Sequence, residues 1–425
     1  MTADFDVVVI GAGLAGLGAA TALRRMGRRA VVLEAAGRIG GRAWTAYPEA
    51  LGGVWFDMGA IWLHDAENNP LTPIALAAGD TLLRSDTMRT ERSFIGTRLA
   101  TDAELADYAD AWPRFEAAAE RLMQPGMPDV ALSVVAAALP DDPWAATVES
   151  WEGPVICTVD AGEYSLLDWQ RNVLHGSNLV PEGGIGAFVQ RRLGEGLDIR
   201  LDTRVSRVRW GGVGGQVSVE TDRGVLTAGS CIVTVSTGVL RAGAITFDPV
   251  LPPHVQDALH VLPMGLATKV ALRANGADRL DLPAYCSVDR QVGRDGDLLV
   301  PLQCWPYGRD YVQGWIGGGT AWALLREGDA AAVDFARGEL RRVFGARADA
   351  LFAGAPTLVS QWGGDPLTLG AYAYATPGNA DARSRLAEPV ADGHLLFAGE
   401  ACHIGYAGTL AGAWLSGEAA AGLAA

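Results

Sequence analysis

Residues 5–16 read FDVVVIGAGLAG, and this stretch decides the fold. The apolar run FDVVVI is typical of a buried parallel strand, and a helical stretch follows the glycines. A second apolar run, VVLE at residues 31–34, completes a βαβ unit. In that setting the GxGxxG pattern of Gly11, Gly13 and Gly16 predicts a dinucleotide-binding site rather than a Gly-rich turn.

Each glycine of this pattern and the acidic residue Glu34 have a distinct expected task. Gly11 permits the tight turn, Gly13 lets the backbone approach a pyrophosphate, and Gly16 lets helix and strand pack closely. The helix N-terminus offers free N–H groups to the phosphates. Glu34 ends the second strand, where a carboxylate can accept both ribose hydroxyls of an adenosine and would repel the additional phosphate of NADP.

The composition of the chain excludes several functional classes. With 425 residues, of which 49% are hydrophobic, the chain is long enough for two domains with buried cores. A formal net charge of −15 without a basic run argues against nucleic acid as a partner. Five scattered cysteines without ligand spacing predict reduced thiols, no disulfide framework and no metal site.

No targeting or membrane signal stands out in the sequence. The first residues lack a basic region followed by a long apolar run, so we expect a cytoplasmic location. Residues 406–425 come nearest to a membrane span, but they are rich in Ala and Gly and include Glu418. We therefore expect a buried C-terminal helix and no membrane span.

A second Gly-rich loop, RIGGR from Arg38 to Arg42, follows Glu34. It would add close backbone approach and two guanidinium groups to the same pyrophosphate. The full run EAAGRIGGR resembles the Gly-Gly-Arg signature of the flavin amine oxidase superfamily. This resemblance implies a tightly bound FAD in place of exchangeable NAD.

Further segments extend the resemblance over nearly the whole chain. The run GAIWLH, followed by NPL, is similar to the segment that crosses the flavin in polyamine oxidases. The C-terminal runs FAGE, GYAGTL and GAWLSG resemble the block that closes the FAD site. There the resemblance implies that Glu400 holds the ribityl or phosphate part and that a helix beginning near Thr409 points its positive end at the flavin.

The FAD-binding positions implied by the resemblance come from both Gly-rich loops, the flavin-crossing segment and the C-terminal block. Val205 is added because its backbone would contact the adenine. The full set is Gly11, Ala12, Gly13, Ala15, Gly16, Glu34, Ala35, Gly40, Gly41, Arg42, Gly59, Ala60, Ile61, Trp62, Val205, Trp362, Gly399, Glu400, Gly408, Thr409 and Leu410.

Lys269 is the only lysine among 34 basic residues. It lies in the run LPMGLATKVAL, which looks like the flavin-facing strand of the family, whose lysine is hydrogen-bonded through water to flavin N5. A desolvated ammonium group near a flavin should have a lowered pKa. The resemblance therefore implies that Lys269 organises water for imine hydrolysis or reoxidation.

Three aromatic residues resemble the aromatic site of the family. Trp362 and Tyr372 match its tryptophan and first tyrosine, and Tyr406 matches its second. The two tyrosines would flank the substrate amine as a cage above the flavin. Ala371 stands where covalently flavinylated monoamine oxidases have cysteine, so the resemblance implies non-covalent FAD.

Recognition of the substrate is predicted less specifically than recognition of the cofactor. His64 occupies the place of a substrate-tunnel histidine, next to Trp62. His64 and three acidic residues, Asp65, Glu67 and Glu163, are candidate partners for a distal ammonium group of the substrate, with solvated loop acids as the alternative interpretation of the three acids. Residues 80–180, where substrate selection would be built, match the family poorly.

The predicted fold class is α/β, with a Rossmann-like FAD-binding domain of the GxGxxG plus Gly-Gly-Arg type interleaved with an α+β substrate-binding domain. We assign residues 1–78, 179–245 and 388–425 to the FAD-binding domain, and residues 79–178 and 246–387 to the substrate-binding domain. Local signals predict a hairpin feeding a buried strand at residues 231–235.

Helix signals predict two further elements. A Thr101/Glu104 capping box opens a helix over residues 101–123, which Pro113 should kink or split. A second helix covers residues 329–344 and stops at Gly345.

The resemblance implies an FAD-dependent oxidation of a primary or secondary amine, with a polyamine as the favoured substrate. Hydride transfer to flavin N5 would give an imine and then an aldehyde plus an amine, with O2 reduced to H2O2. The expected partners are a small-molecule amine and O2, and the chain would be a monomer or homodimer. The alternatives are a flavin desaturase or dehydrogenase, an L-amino-acid oxidase, and a non-catalytic binding protein of the same fold.

Overall fold

The computed structural model describes residues 3–211, 215–294 and 296–425. Residues 1–2, 212–214 and 295, which the predicted domain ranges include, lie outside the described residues. The described part of the chain is an α/β fold built around two large sheets, as the sequence predicts. None of its helices has both the length and the apolar character needed to cross a membrane.

The first sheet has eight strands and contains the βαβ unit. β1 lies near its centre and pairs in parallel with β2 on one side and with β12 on the other. The spatial order is β13-β10-β11-β12-β1-β2-β9, and β21 also pairs with β12. These strands are β1 Phe5–Ile10, β2 Ala30–Leu33, β9 Ile199–Arg200, β10 Val205–Arg209, β11 Val217–Thr221, β12 Gly224–Val233, β13 Thr246–Asp248 and β21 Leu395–Phe397.

The second sheet has seven strands in the order β19-β15-β18-β17-β16-β6-β7. Its strands are β6 Thr90–Ile95, β7 Arg98–Leu99, β15 Ala267–Arg273, β16 Cys286–Arg290, β17 Leu302–Cys304, β18 Tyr311–Gly317 and β19 Thr357–Val359. Three two-stranded pairs complete the strands: β3 Thr45–Ala46 with β4 Phe56–Asp57, β5 Leu82–Arg84 with β8 Leu179–Pro181, and β14 Met264–Gly265 with β20 Tyr372–Ala373.

The helices cover the two sheets and fill the segment between β7 and β8. They are α1 Leu14–Arg25, α2 Leu71–Ala77, α3 Ser85–Met88, α4 Asp102–Leu122, α5 Ser133–Ala137, α6 Ala145–Ser150, α7 Leu166–Arg171, α8 Ile185–Arg192, α9 Thr237–Arg241, α10 Pro253–Val261, α11 Gly318–Glu327, α12 Asp329–Phe344, α13 Ala346–Phe352, α14 Ala382–Ala387 and α15 Leu410–Leu423. A π-helical segment, Trp151–Cys157, continues directly from α6.

Helices pack on both faces of the first sheet because its central strands are apolar on both sides. Alternate residues of β1 point to opposite faces, so Val7 and Val9 pack with α1 and α15, whereas Val8 and Ile10 pack with α10 and α14. Small residues bring α1 and α15 close together. A Cβ added at Gly417 would lie 2.0 Å from the Ala15 carbonyl oxygen.

The local helix predictions are confirmed, with one difference. The Thr101/Glu104 capping box opens α4, and α12 ends at Gly345, whose φ of 62° favours glycine. Pro113 lies inside α4 without splitting it. The predicted hairpin is also present, but its second strand and the buried parallel strand are one continuous element, β12.

The two sheets draw their strands from interleaved parts of the chain. Residues 5–33, 199–248 and 395–397 supply the first sheet, and residues 90–99 and 267–359 supply the second. β13 joins the first sheet, although the expected boundary at residue 245 places it in the substrate-binding domain. The domain boundaries stay a prediction.

Candidate active site

A cavity of about 560 Å³ begins at the carboxyl ends of β1 and β2 and extends to β15 and β18 of the second sheet. Carboxyl ends of parallel strands are the usual binding edge of such sheets. The predicted FAD-binding residues line this cavity, except Ala12 and Gly16. One continuous site therefore combines the βαβ unit with the Lys269 strand.

The N-terminus of α1 is open towards the cavity. No side chain caps it at Gly13, and a Cβ added at Gly13 would have no atom within 4 Å. Free amides and open space suit a pyrophosphate. Gly16 acts differently, because a Cβ there would lie 1.9 Å from the Gly11 carbonyl oxygen. Its task is close packing of helix on strand, as predicted.

The Glu34 carboxylate is fixed by two backbone amides. One oxygen accepts from Ala12 N at 2.7 Å and the other from Ala36 N at 2.8 Å. Each oxygen keeps a second lone pair for a ribose hydroxyl. With the open Gly13 backbone, this carboxylate makes the nucleotide end of the cavity fit FAD.

Arg42 and Glu400 connect the second Gly-rich loop to the C-terminal block. The guanidinium group lies 3.0 Å from the Glu400 carboxylate, which also accepts from the backbone amide of Ala373 at 3.1 Å. Both side chains line the cavity, and Glu400 is buried. Their pairing fixes the wall of the cavity between its nucleotide end and Tyr372.

Lys269 is 3% exposed and lies on β15. Its ammonium group donates to the carbonyl oxygens of Asp57, at 2.6 Å, and Gly59. The same group lies 4.8 Å from the ring centre of Trp315, which is its partner in register on β18. Burial lowers the pKa of Lys269 to about 7, although the Asp57 carboxylate opposes the shift.

The carboxylate of Asp57 contacts the start of α8 and is not part of the cavity lining. It accepts from Thr45 Oγ1 at 2.5 Å and from the backbone amide of Ile185 at 3.1 Å, at the start of α8. Burial raises the pKa of Asp57, whereas these hydrogen bonds and the Lys269 ammonium lower it. Asp57 thus couples the position of Lys269 to the helix that packs beside the FAD-binding loops.

Trp62 and His64 form the wall next to Lys269. Trp62 stacks on Trp315 with ring centres 5.6 Å apart and planes 13° apart. His64 Nδ1 lies 2.6 Å from Asn178 Oδ1, and burial lowers the pKa of His64. His64 is therefore neutral at pH 7 and presents a polar ring to the cavity.

Tyr372, on β20, also lines the cavity. Its hydroxyl donates to the carbonyl oxygen of Ile156 in the π-helical segment. A Cβ added at Gly408 would lie 2.9 Å from the Tyr372 ring, so ring and backbone are in close contact there. The start of α15, capped by Thr409, is adjacent to this contact.

Residues 14–130 and 138–424 match the family model of flavin containing amine oxidoreductases. The chain belongs to this family. Polyamine oxidase 4 of Oryza sativa subsp. japonica is 31% identical over 464 residues, which cover 98% of this chain and 88% of that protein. FLOWERING LOCUS D of Arabidopsis thaliana is 30% identical, and the match covers 97% of this chain but 54% of that protein.

Solved structures show the same fold. Putrescine oxidase bound to putrescine aligns with a TM-score of 0.80 and 20% identity over 98% of both chains. As a flavin containing amine oxidoreductase with a nucleotide site that fits FAD, the chain is an FAD-dependent amine oxidase.

The two tyrosines of the predicted amine cage differ in their contacts in this amine oxidase, and the cage stays a prediction. Tyr372 lines the cavity, but Tyr406 is not among the lining residues. Its hydroxyl instead donates to Asp65 at 2.6 Å, which raises the pKa of Tyr406 to about 12. The structure thus brings together Lys269, His64 and Tyr372 but leaves Tyr406 outside.

The three acidic residues predicted as partners of a distal ammonium group also lie outside the cavity lining, whereas His64 is part of it. Asp65 accepts from Tyr406, Glu67 accepts from the backbone amide of Ser177, and Glu163 accepts from the Tyr374 hydroxyl. Glu67 and Glu163 are exposed. Each of these three side chains thus has a donor from the protein itself, and their binding of a distal ammonium group stays a prediction.

Several lining residues escaped prediction because they lie in the poorly matching segment or on a strand without a motif. Trp315 could have been found only from its pairing with the Lys269 strand. No sequence signal marked the others. The set is Glu152, Tyr164, Trp169, Asn172, Trp315 and Tyr374.

Proposed function

We propose that this amine oxidase acts on a primary or secondary aliphatic amine of the polyamine class. The amine is oxidised to an imine, which water hydrolyses to an aldehyde and an amine, and O2 is reduced to H2O2. The observation that carries the proposal is the position of Lys269, buried in the cavity wall with two carbonyl partners. The similarity to polyamine oxidases over nearly the whole chain supports the substrate class.

The cavity walls suit an extended amine chain. The rings of Trp62, Trp315 and Tyr372 line the cavity, and the Lys269 nitrogen lies 4.8 Å from the ring centre of Trp315. The faces of such rings contact methylene groups and attract a cationic head on approach. A neutral lipid, the substrate of the alternative desaturase, would gain nothing from the buried amine of Lys269.

The arginines that line the cavity argue against an L-amino acid as substrate. Arg38 and Arg42 belong to the second Gly-rich loop, and Arg383 makes two hydrogen bonds of 2.7 Å to the buried Asp168. Arg204 is exposed at the nucleotide end. Among the described lining residues, Arg42 and Arg383 are already paired with carboxylates of the protein. Arg38 and Arg204 belong to the nucleotide end of the cavity. This arrangement disfavours recognition of a substrate carboxylate.

Bound FAD supplies the two-electron oxidant of the reaction. The protein's own residues position the substrate and the water. Tyr372 and Trp62 confine the amine, and the Lys269 nitrogen, held by two carbonyls, can hold a water molecule with its remaining hydrogen-bonding position. Ala371, which precedes Tyr372, offers no thiol for a covalent link, so we propose that FAD is bound non-covalently.

The proposed function is tested by mixing the purified yellow protein, without oxygen, with putrescine, spermidine, spermine, n-butylamine and an L-amino acid. An amine should bleach the visible flavin absorbance, and H2O2 should appear when air is admitted. Because FAD is proposed to be bound non-covalently, acid precipitation of the protein should leave FAD in the supernatant. Bleaching by dithionite but by none of the amines would reject the proposal.

The two tyrosines should differ in importance. Tyr372→Ala removes a lining ring and the hydroxyl bond to Ile156, so kcat/KM for the amine should fall by about tenfold or more. Tyr406→Ala removes a ring outside the cavity lining together with its bond to Asp65, and it should change kcat/KM by less than about threefold. Steady-state H2O2 assays at equal FAD content measure both variants. Equal losses of kcat/KM in the two variants would contradict this expectation and support the predicted two-tyrosine cage.

A further inference from the structure

Four acidic side chains line the cavity, and they differ in their partners. Glu34 accepts from two backbone amides, and Glu400 is paired with Arg42. Asp365 accepts from a backbone amide of its own turn. Glu152 is the remaining carboxylate, and it belongs to the π-helical segment.

Among the residues that the structure describes, Glu152 has one side-chain hydrogen-bond donor, and no cation is among the charged groups that act on it. Trp169 Nε1 donates to its Oε2 at 2.8 Å. Burial and the neighbouring carboxylate of Glu116 raise the pKa of Glu152 to about 7. Glu152 is half-buried, and a carboxylate in this state gains from a cationic partner, because an unpaired charge is costly in a poorly solvated site.

The π-helical segment fixes Glu152 relative to the rest of the substrate wall. Glu152 and Ile156, whose carbonyl accepts from the Tyr372 hydroxyl, are about one turn apart. The segment is pressed against the end of β18, where a Cβ added at Gly317 would lie 1.6 Å from the Pro154 carbonyl oxygen. The backbone that carries Glu152 is therefore tied to the Tyr372 hydroxyl through Ile156, and the carboxylate is held by Trp169.

We propose that Glu152 binds the second ammonium group of a diamine or polyamine while the amine to be oxidised lies between Tyr372 and Lys269. The inference rests on the proposed function and deepens it, since it names the group that selects diamines over monoamines. An aliphatic ammonium group matches this site, because it supplies the missing positive charge and donates hydrogen bonds to the free carboxylate oxygen. The aromatic rings of Tyr164 and Trp169, which also line the cavity, would flank its methylene groups.

The test compares Glu152→Gln with the wild-type holoenzyme on putrescine and on n-butylamine, which has the same carbon chain without the second amine. Glutamine keeps an acceptor for Trp169 and removes the charge. The Kd for putrescine, from the concentration dependence of anaerobic flavin reduction, should rise about 30-fold or more, with a limiting rate within about threefold of wild type. The Kd and the limiting rate of flavin reduction for n-butylamine should stay unchanged.

Two further variants separate charge from folding. Glu152→Asp keeps the charge on a shorter side chain and should recover part of the affinity for putrescine. Glu163→Gln changes an exposed carboxylate outside the cavity and should leave both substrates unaffected. FAD content and Tm establish that each variant is folded.

The outcomes distinguish this inference from the proposed function. If wild type is reduced by diamines but Glu152→Gln affects putrescine and n-butylamine equally, or affects neither, Glu152 does not bind the second ammonium group. A loss confined to the limiting rate would also overturn the inference, because it would indicate a role at the reacting amine. If no amine reduces wild type, the proposed function itself has failed.

Discussion

Replacing Lys269 with methionine should lower kcat for amine oxidation by about two orders of magnitude or more, while FAD stays bound. Methionine fills similar space but cannot hold a water molecule or exchange a proton. Two carbonyl oxygens, of Asp57 and Gly59, fix the Lys269 nitrogen in the cavity wall, 4.8 Å from the ring centre of Trp315. Stopped-flow absorbance, with reduction and reoxidation followed separately, shows which half-reaction is slowed.

The pH dependence of the reaction follows from the same contacts. Below its pKa of about 7, Lys269 is an ammonium group with three N–H bonds and no lone pair. Above that pH, two N–H bonds can still donate to the carbonyls, and the lone pair can accept from a water molecule. The rate should therefore rise as pH increases through about 7, before any further rise from deprotonation of the substrate itself.

Two variants give this prediction a control. The rise near pH 7 should be missing in Lys269→Met. It should be missing also in Lys269→Arg, because arginine keeps its charge throughout this range. A pH profile that keeps its rise near pH 7 in both variants would assign the titration to another group. Visible absorbance at each pH measures whether FAD remains bound.

Two single variants, Gly13→Ala and Gly16→Ala, should separate an effect on FAD binding from an effect on folding. Gly13→Ala meets no atom within 4 Å, and its φ of −72° suits alanine. The FAD-stripped protein should keep its stability within about 0.5 kcal/mol, but FAD affinity should fall tenfold or more because the methyl group occupies the space of the pyrophosphate.

Gly16→Ala should instead destabilise the protein with or without FAD. Its Cβ would lie 1.9 Å from the Gly11 carbonyl oxygen, so α1 must move away from β1. A loss of about 3 kcal/mol is expected, which exceeds the ~1 kcal/mol that alanine gains over glycine in a helix. Urea unfolding of the FAD-stripped protein measures the free energy of unfolding, and fluorescence titration with FAD measures the affinity for FAD. Wild-type FAD affinity in Gly13→Ala would place the pyrophosphate elsewhere.

The nucleotide half of the site could be predicted from the sequence because its determinants are local. The tight turn at Gly11, the close packing at Gly16 and the acid at Glu34 follow one another within a single βαβ unit. Lys269 could be singled out as the only lysine, at a position that the family resemblance also marks. Its two carbonyl partners, however, come from residues about two hundred positions away.

The substrate half could not be predicted, because it depends on contacts between distant segments and on an irregular helix. Nothing in the sequence separates Glu152, in the cavity wall, from Glu163, which is exposed and accepts a hydrogen bond from Tyr374. A π-helical turn shifts side chains away from the α-helical period, so periodicity cannot show which of them face inward. The hydrogen bond between Tyr406 and Asp65 could not be predicted for a similar reason, since the two residues are far apart in sequence.

The burial of Lys269 in the second sheet also determines how the chain can be cut. A protease specific for lysine has a single target here, on a strand that is hydrogen-bonded to β18 and β19 on either side. Fraying of loops or chain ends leaves that peptide bond inaccessible, and cleavage requires the sheet to open. The rate at which the chain is divided in two thus reports opening of the second sheet, largely separate from loop motions elsewhere.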